Sequence, residues 1–240
     1  QERSISTDYI IKAYKESYDI DVASLFGGAE EIHVYRCAQS GFRFYAPGSV
    51  AGDSDFYAQL QRFPWYYMDW KWEHDVVKDT LQSGDRLLEI GCAEGAFISR
   101  LDTSIESVGL ELNRNAALAG QDAGLDIRTE AIQDHAIMKP NYYDVVCSYQ
   151  VMEHVTDVRG IVAASVQALK PGGRLIISVP NNDSFIKYSP DSILNMPPHH
   201  MNLWDEASLK GLQDHFDMEL VGFELEPLQP YHYPVVISNF

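Results

Sequence analysis

The spacing of apolar side chains changes character partway along the chain. Over the first eighty residues it is mixed. Ile10, Ile11, Tyr14 and Tyr18 recur at helical spacing and predict a helix over 7–18. Two alternating stretches, 33–37 and 42–45, flank Ala38-Gln39-Ser40-Gly41 and predict a short hairpin. Asp53 and Ser54 are capping residues for a helix that reaches Phe63. An aromatic-rich helix over 64–81 follows, with Pro64 in its first turn. From residue 85, short apolar runs alternate with helical stretches. Strands are predicted over 86–90, 107–111, 125–128, 143–148 and 174–179, and helices over 94–101, 113–123 and 158–169. Residues 180–204 hold four prolines and little periodicity, which predicts a lid or binding loop at about 182–204. A helix over 207–216, a sixth strand over 219–226 and a seventh over 235–240 complete the pattern. Strands alternating with helices predict an α/β fold: a doubly wound, mainly parallel seven-stranded sheet, preceded by a small helical and hairpin extension. The expected division is an accessory region at 1–80 and a main domain at 81–240.

Composition narrows the partners. The 240 residues carry 18 basic and 35 acidic side chains, a formal charge of −17. Such a surface repels phosphate backbones and anionic membranes, so neither nucleic acid nor membrane is an expected partner. Hydrophobic residues at 45% against 22% charged exclude a largely disordered chain. The three cysteines are Cys37, Cys92 and Cys147, with no Cys-x-x-Cys pair to hold zinc. Cys92 and Cys147 sit in apolar strand-like surroundings and read as small buried hydrophobes. No apolar run approaches the ~20 residues that span a bilayer. The opening Gln1-Glu2-Arg3-Ser4 has no signal-like apolar stretch, so a cytoplasmic, reduced setting is expected.

The chemistry concentrates where strands end. In a doubly wound sheet, ligands bind at the carboxyl ends of the strands, near the switch in strand order. The first such strand ends in Leu88-Glu89-Ile90-Gly91-Cys92-Ala93-Glu94-Gly95. Its small residues let a ligand approach the backbone. Glu111 follows at the end of the second strand, where a carboxylate accepts both hydroxyls of a ribose. Together they describe a nucleoside site. Gly91-x-Ala93-x-x-Ala96 can be set in a dinucleotide frame. Gly91-x-Ala93-x-Gly95 preceded by Glu89 instead resembles motif I of the class I S-adenosylmethionine-dependent methyltransferases. Further segments favour the second frame. Tyr143 to Ser148 followed by Val151-Met-Glu153-His154-Val155 resembles the fourth motif of that family. The run from Leu169 to Asn181, with its Lys-Pro-Gly-Gly turn, resembles its strand-five signature. Pro197-Pro-His199-His200-Met-Asn-Leu-Trp204 is similar to the substrate-side loop of its small-molecule and sugar branches.

The resemblance implies a Rossmann-like fold, S-adenosylmethionine as cofactor, and roles for particular residues. Glu89 and the Gly91 backbone would hold the methionine end, within a loop that includes Cys92, Ala93, Gly95 and Phe97. Glu111 would take the ribose, and Leu112 would pack on the adenine. Ala131, Ile132 and Gln133 would line the adenine edge, and Ser148 and Tyr149 would lie near the sulfonium. Ala93 departs from the family, which has Gly there. The N-terminal region resembles a lead-in that carries a Cys-x-x-Cys knuckle; here Ser40 replaces the second cysteine, so no metal is expected at Cys37. The aromatics at 65–72 read as core. His33, His74, His135, His215 and His232 have no motif context. His154, His199 and His200 are the candidates for a general base. The implied activity is methyl transfer to a small-molecule or sugar acceptor, with a hydroxyl oxygen favoured. Nitrogen or carbon methylation, a nicotinamide-dependent dehydrogenase and a non-catalytic nucleoside-binding module remain alternatives. A related branch, the polyprenyl quinone O-methyltransferases, binds a cation through Glu-x-x-Glu-His. Gln150 replaces the first carboxylate of that arrangement, so no catalytic metal is expected.

Overall fold

The computed structural model describes residues 1–66 and 68–233. Its core is a five-stranded sheet of β4 (Arg86–Ile90), β5 (Glu106–Leu110), β6 (Ile127–Arg128), β7 (Tyr143–Tyr149) and β8 (Leu169–Ser178). The strands run in the order β6-β5-β4-β7-β8, and every pairing is parallel. Strand order therefore reverses at β4, which opens the crevice between its carboxyl end and that of β7. The strands are near-continuous apolar runs because both faces are covered. One face packs Leu88, Val108 and Val146 against helices α5 (Ile132–Met138) and α6 (Val158–Ala168). The other packs Leu87, Val145 and Cys147 against Phe97, Ala117 of helix α4 (Arg114–Asp122) and Val77 of helix α3 (Trp72–Lys78). Cys92 and Cys147 are buried, and burial pushes both thiols up, which leaves them inert small hydrophobes.

The doubly wound class holds, but the strand count does not reach seven. Residues 219–226 form no strand and Val221 is 87% exposed; the alternation in Glu219-Leu-Val-Gly-Phe-Glu finds no partner edge among the described residues. The expected seventh strand, 235–240, lies outside the described residues. Expected helices differ as well. Over 94–101 the chain makes turns and a short 3-10 segment, because Gly95 sits at φ +84° and breaks a continuous helix. Among the described residues of 64–81 only α3 is helical; Lys71 is extended at φ −125° and caps it, and Trp65 packs on Phe63 and Tyr66 but stays 46% exposed, so it is not the core residue expected.

The N-terminal region builds its own sheet. Helix α1 (Thr7–Tyr18) forms over its predicted range, and helix α2 (Ser54–Leu60) starts where Asp53 accepts the Phe56 N–H at 2.9 Å. The hairpin forms as β2 (Glu31–Arg36) and β3 (Arg43–Ala46), flanked by β1 (Arg3–Ser6) and by β9 (Asn202–Leu203), all antiparallel. β9 comes from the end of the proline-rich loop. That loop also sends Met196 and Met201 into the cluster around Ile10, Tyr14, Ile32 and Phe56. Burying each such side chain is worth about 1.5–3 kcal/mol, so residues 196–203 are core to the N-terminal region. The helix expected over 207–216 forms only as α7 (Glu206–Lys210), capped by Asp205, with a 3-10 segment over Gly211–Asp214 beyond it.

Candidate functional site

The crevice at the β4 carboxyl end is shaped by backbone that only small residues tolerate. Gly91 takes φ +71° and Ala93 φ +50°. The Gly91 and Cys92 N–H groups both donate to Leu110 O, which ties the loop to β5. A Cβ on Gly91 would stand 2.4 Å from Val151 Cγ2, a stiff β-branched neighbour. Gly91→Ala is therefore expected to destabilise by about 2–4 kcal/mol, from overpacking plus a left-handed L-residue. Denaturant midpoints check this, with Val151→Ala in the same chain recovering only the packing share. Ala93 already carries that backbone cost, the physical content of its departure from glycine.

Glu111 closes the loop. Its Oε2 accepts the Ala93 N–H at 2.9 Å and its Oε1 accepts the Asn113 N–H at 2.6 Å. A carboxylate has about four acceptor positions, so each oxygen keeps one for a ligand hydroxyl. Leu112 beside it is 69% exposed, a flat apolar face at the crevice rim. Glu89 lies beneath, fully enclosed, and its Oε2 has no partner among the described residues. Burial pushes its carboxyl up to about 8; the Lys71 ammonium opposes this and the Glu111 charge adds to it. The buried Ser148 Oγ at the end of β7 is likewise unpartnered. Ala131 caps α5, Ile132 faces the core, and Gln133 reaches Asp157 at 3.5 Å. Phe97 and Tyr149 pack edge-to-face, 5.2 Å apart, on the other side of the sheet beside His74.

His154 and the adjacent pair His199 and His200, 45 residues further along the chain, meet in one cluster. His154 Nδ1 lies 2.7 Å from His199 O, His199 Nδ1 2.9 Å from Leu194 O and His200 Nδ1 3.0 Å from Asn195 Oδ1. Each ring thus donates through Nδ1 and keeps its lone pair on Nε2. Ring centroids are 4.6 Å apart for His154–His199 and His199–His200, and 4.9 Å for His154–His200. Burial lowers His154 to about 4 and His199 to about 3, and takes His200 well below its ordinary value. What assembles them is backbone pairing: Met201 and Asn202 N–H both donate to Glu153 O, while Asn202 Nδ2 reaches Met152 O and Val155 O. The turn beyond, 156–158, borders a cleft of about 600 Å³ walled by Phe42, Phe44 and Trp204.

Two contributors were not legible in sequence. Tyr57 of α2 donates to His199 O at 3.2 Å and packs edge-on to His154 at 5.8 Å. Glu73 of α3 accepts from Ser178 Oγ at 3.2 Å and from Gln150 Nε2 at 3.4 Å. Neither carries a motif, and Glu73 follows Trp72 with no periodic signal of its own.

Residues 65–222, more than half the chain, match the family described as methyltransferase domain. The ubiquinone biosynthesis O-methyltransferase of Xylella fastidiosa (strain M23) is 36% identical over 113 residues, 44% of this chain and 46% of that protein. The enzyme of the same name from Xanthomonas euvesicatoria is 33% identical over 106 residues, 41% of this chain and 44% of that one. The matched part thus spans less than half the length of these relatives. Among solved structures, a possible histamine N-methyltransferase from Thermotoga maritima superposes at a TM-score of 0.52 and 19% identity, covering 67% of this chain and 77% of that one. At that identity the likeness shows the fold. No helix among the described residues is long and apolar enough to cross a membrane.

Proposed function

The chain belongs to the methyltransferase domain family, and from that premise we propose that it moves a methyl group from S-adenosylmethionine to a hydroxyl oxygen of a small-molecule or sugar acceptor. The observation that carries this is Glu111, whose two oxygens bridge the Ala93 and Asn113 amides and keep acceptor capacity for a ribose. The family resemblance assigns Gly91, Cys92, Ala93, Gly95 and Phe97 to the loop under the cofactor, Leu112 and 131–133 to the adenine, and Ser148 and Tyr149 to the sulfonium side. The unpartnered Glu89 and Ser148 oxygens support a polar ligand at this end. When bound, the cofactor supplies an electrophilic methyl carbon on sulfur. The chain's own work is to align the acceptor, to exclude water and to receive the hydroxyl proton. His154, His199 and His200 are the groups proposed for that proton, each with its Nε2 lone pair available. The name of the Xylella relative supports oxygen as the accepting atom, and the surface charge of −17 supports an acceptor without a phosphate backbone. Residues 1–80 and the 182–204 segment are proposed to cover the acceptor side. The Tyr57 and Glu73 contacts support this.

The test is transfer of labelled methyl from S-adenosylmethionine to a panel of phenols, catechols and sugar hydroxyls, with amines and activated carbons as counter-substrates. Product methylated on oxygen is expected; product on nitrogen or carbon alone would overturn the acceptor class. A second measurement probes Glu89. Free, it holds a proton up to about pH 8; opposite the methionine ammonium it ionises. Binding of S-adenosylhomocysteine is therefore expected to release close to one proton at pH 7. Affinity then rises with pH and levels off above about 8. Calorimetry in buffers of different ionisation enthalpy reads the proton count directly, and Glu89→Gln abolishes it. A proton count of zero in the unmodified chain would remove Glu89 from the cofactor's methionine end.

A further inference from the structure

We propose that His154, His199 and His200, with Glu153 beside them, form a binding site for one divalent transition-metal ion of the zinc class. The inference rests on the methyl-transfer reading only for the use made of the ion, not for its binding. One ligand nitrogen from each ring lies within 4.8 Å of the other two. Tetrahedral zinc with bonds of about 2.0–2.1 Å needs its nitrogens about 3.4 Å apart. Binding would draw the nitrogens in from their present spacing.

The surroundings are those of a metal site. Metal-bound imidazoles keep their other ring nitrogen donating to an oxygen, which fixes tautomer and orientation. All three rings here do so, to His199 O, Leu194 O and Asn195 Oδ1. Asn195 is itself held, donating to Asn182 Oδ1 at 2.8 Å. His199 is 7% exposed and its Nε2 has no partner among the described residues. Glu153 is 2% exposed, its Oε2 is equally unpartnered, and its Oε1 lies 3.8 Å from His154 Nε2. His199 Nε2 and Glu153 Oε2 are thus two orphaned, deeply buried polar atoms in one cluster, each costing about 1–3 kcal/mol unless a ligand satisfies it. A cation satisfies both.

The donor set selects the ion. Imidazole nitrogens suit zinc and its transition-metal neighbours, whereas magnesium demands oxygens. Gln150 removes one carboxylate from the oxygen set that a hard cation needs, which is why no magnesium-type site is expected. Three imidazoles are a different donor set, formed only when 199–200 return to the β7 end. With Glu153 balancing the charge from outside the ligand set, three nitrogens also leave a coordination position for an acceptor oxygen. With the ion bound, the imidazoles would be its ligands and no longer the proton acceptors; the acceptor O–H bond would break there and its proton pass to solvent. The oxygen pair then forms the bond to the methyl carbon as the carbon–sulfur bond breaks, leaving a neutral thioether.

The test uses the whole chain, stripped with chelator and titrated with zinc, cobalt(II) and magnesium by calorimetry. Cobalt binding is also followed in the visible spectrum, and S-adenosylhomocysteine affinity is measured in parallel. Expected are one zinc or cobalt ion per chain, a visible cobalt band of four- or five-coordinate type, and a raised Tm on metal addition. Asn195→Ala, which keeps every ligand, should weaken the metal by roughly 10–100-fold, as loss of an outer partner does. His200→Gln should weaken it further. The proposal is overturned if the chain that binds S-adenosylhomocysteine takes up neither zinc nor cobalt. It also falls if the His199→Gln/His200→Gln chain keeps full metal affinity, or if magnesium binds in preference. Failure of the cofactor reading shows separately, as absent S-adenosylhomocysteine binding whatever the metal result.

Discussion

Glu111→Ala is expected to weaken S-adenosylhomocysteine binding by roughly 10²–10⁴-fold. The carboxylate already accepts the Ala93 and Asn113 amides, and its remaining acceptor positions are those proposed for the two ribose hydroxyls. A hydrogen bond to a charged group is worth about 1.5–3 kcal/mol, so losing two costs about 3–6 kcal/mol. The loop suffers as well, because the Ala93 N–H at φ +50° loses the oxygen that holds it there. Glu111→Gln keeps one acceptor oxygen and should fall between wild type and Ala. Calorimetry gives the affinities, and thermal unfolding of the free chains separates a lost ribose contact from a lost loop. Unchanged affinity in Glu111→Ala would sink the cofactor assignment.

The second large effect is on turnover. His154→Ala should lower the maximal rate by roughly 10²–10⁴-fold while S-adenosylhomocysteine affinity stays within a few-fold. His154 sits on the turn after β7, and its ring is clamped by the His199 carbonyl and by Tyr57. His199→Ala and His200→Ala should fall in the same direction, because each removes a ring on which the other two pack. Chelator distinguishes the two ways the cluster could serve. If the unmodified enzyme loses its rate with chelator and regains it with zinc, the rings act through an ion. If chelator has no effect and His154→Ala is still slow, an imidazole takes the proton itself. Near-normal rates in all three variants would falsify any catalytic part for the cluster.

Much of the main domain was legible because its rules are local. Alternating apolar runs and helices specify a parallel sheet, and β4, β5, β7 and the ladder part of β8 lie within two residues of their predicted bounds. Asp53 and Asn113 cap the helices they precede, since a short polar side chain next to a helical run has one good use there. The candidate cofactor loop was legible for the same reason: small residues between a strand and a helix, followed by a spaced acid, are a one-dimensional pattern. The aromatic stretch at 64–81 was not. Its bulky residues satisfy helical and non-helical packing equally, and the choice fell to the partners each ring found.

By itself, the sequence determined the doubly wound core, the glycine-shaped loop at its switch point, and which residue types stand ready there. Tertiary structure alone decided that Asn202–Leu203 completes the N-terminal sheet, and that Met196 and Met201 belong to that core. It alone brought His199 and His200 against His154, set Tyr57 beside them and placed Glu73 against Gln150 and Ser178. The physical reason is distance along the chain. Periodicity and capping act over a few residues, whereas the histidine cluster depends on Glu153 O accepting the Met201 and Asn202 amides across about fifty residues. No local preference encodes that pairing; it forms because burying the methionines and Trp204 outweighs the entropy of closing the loop.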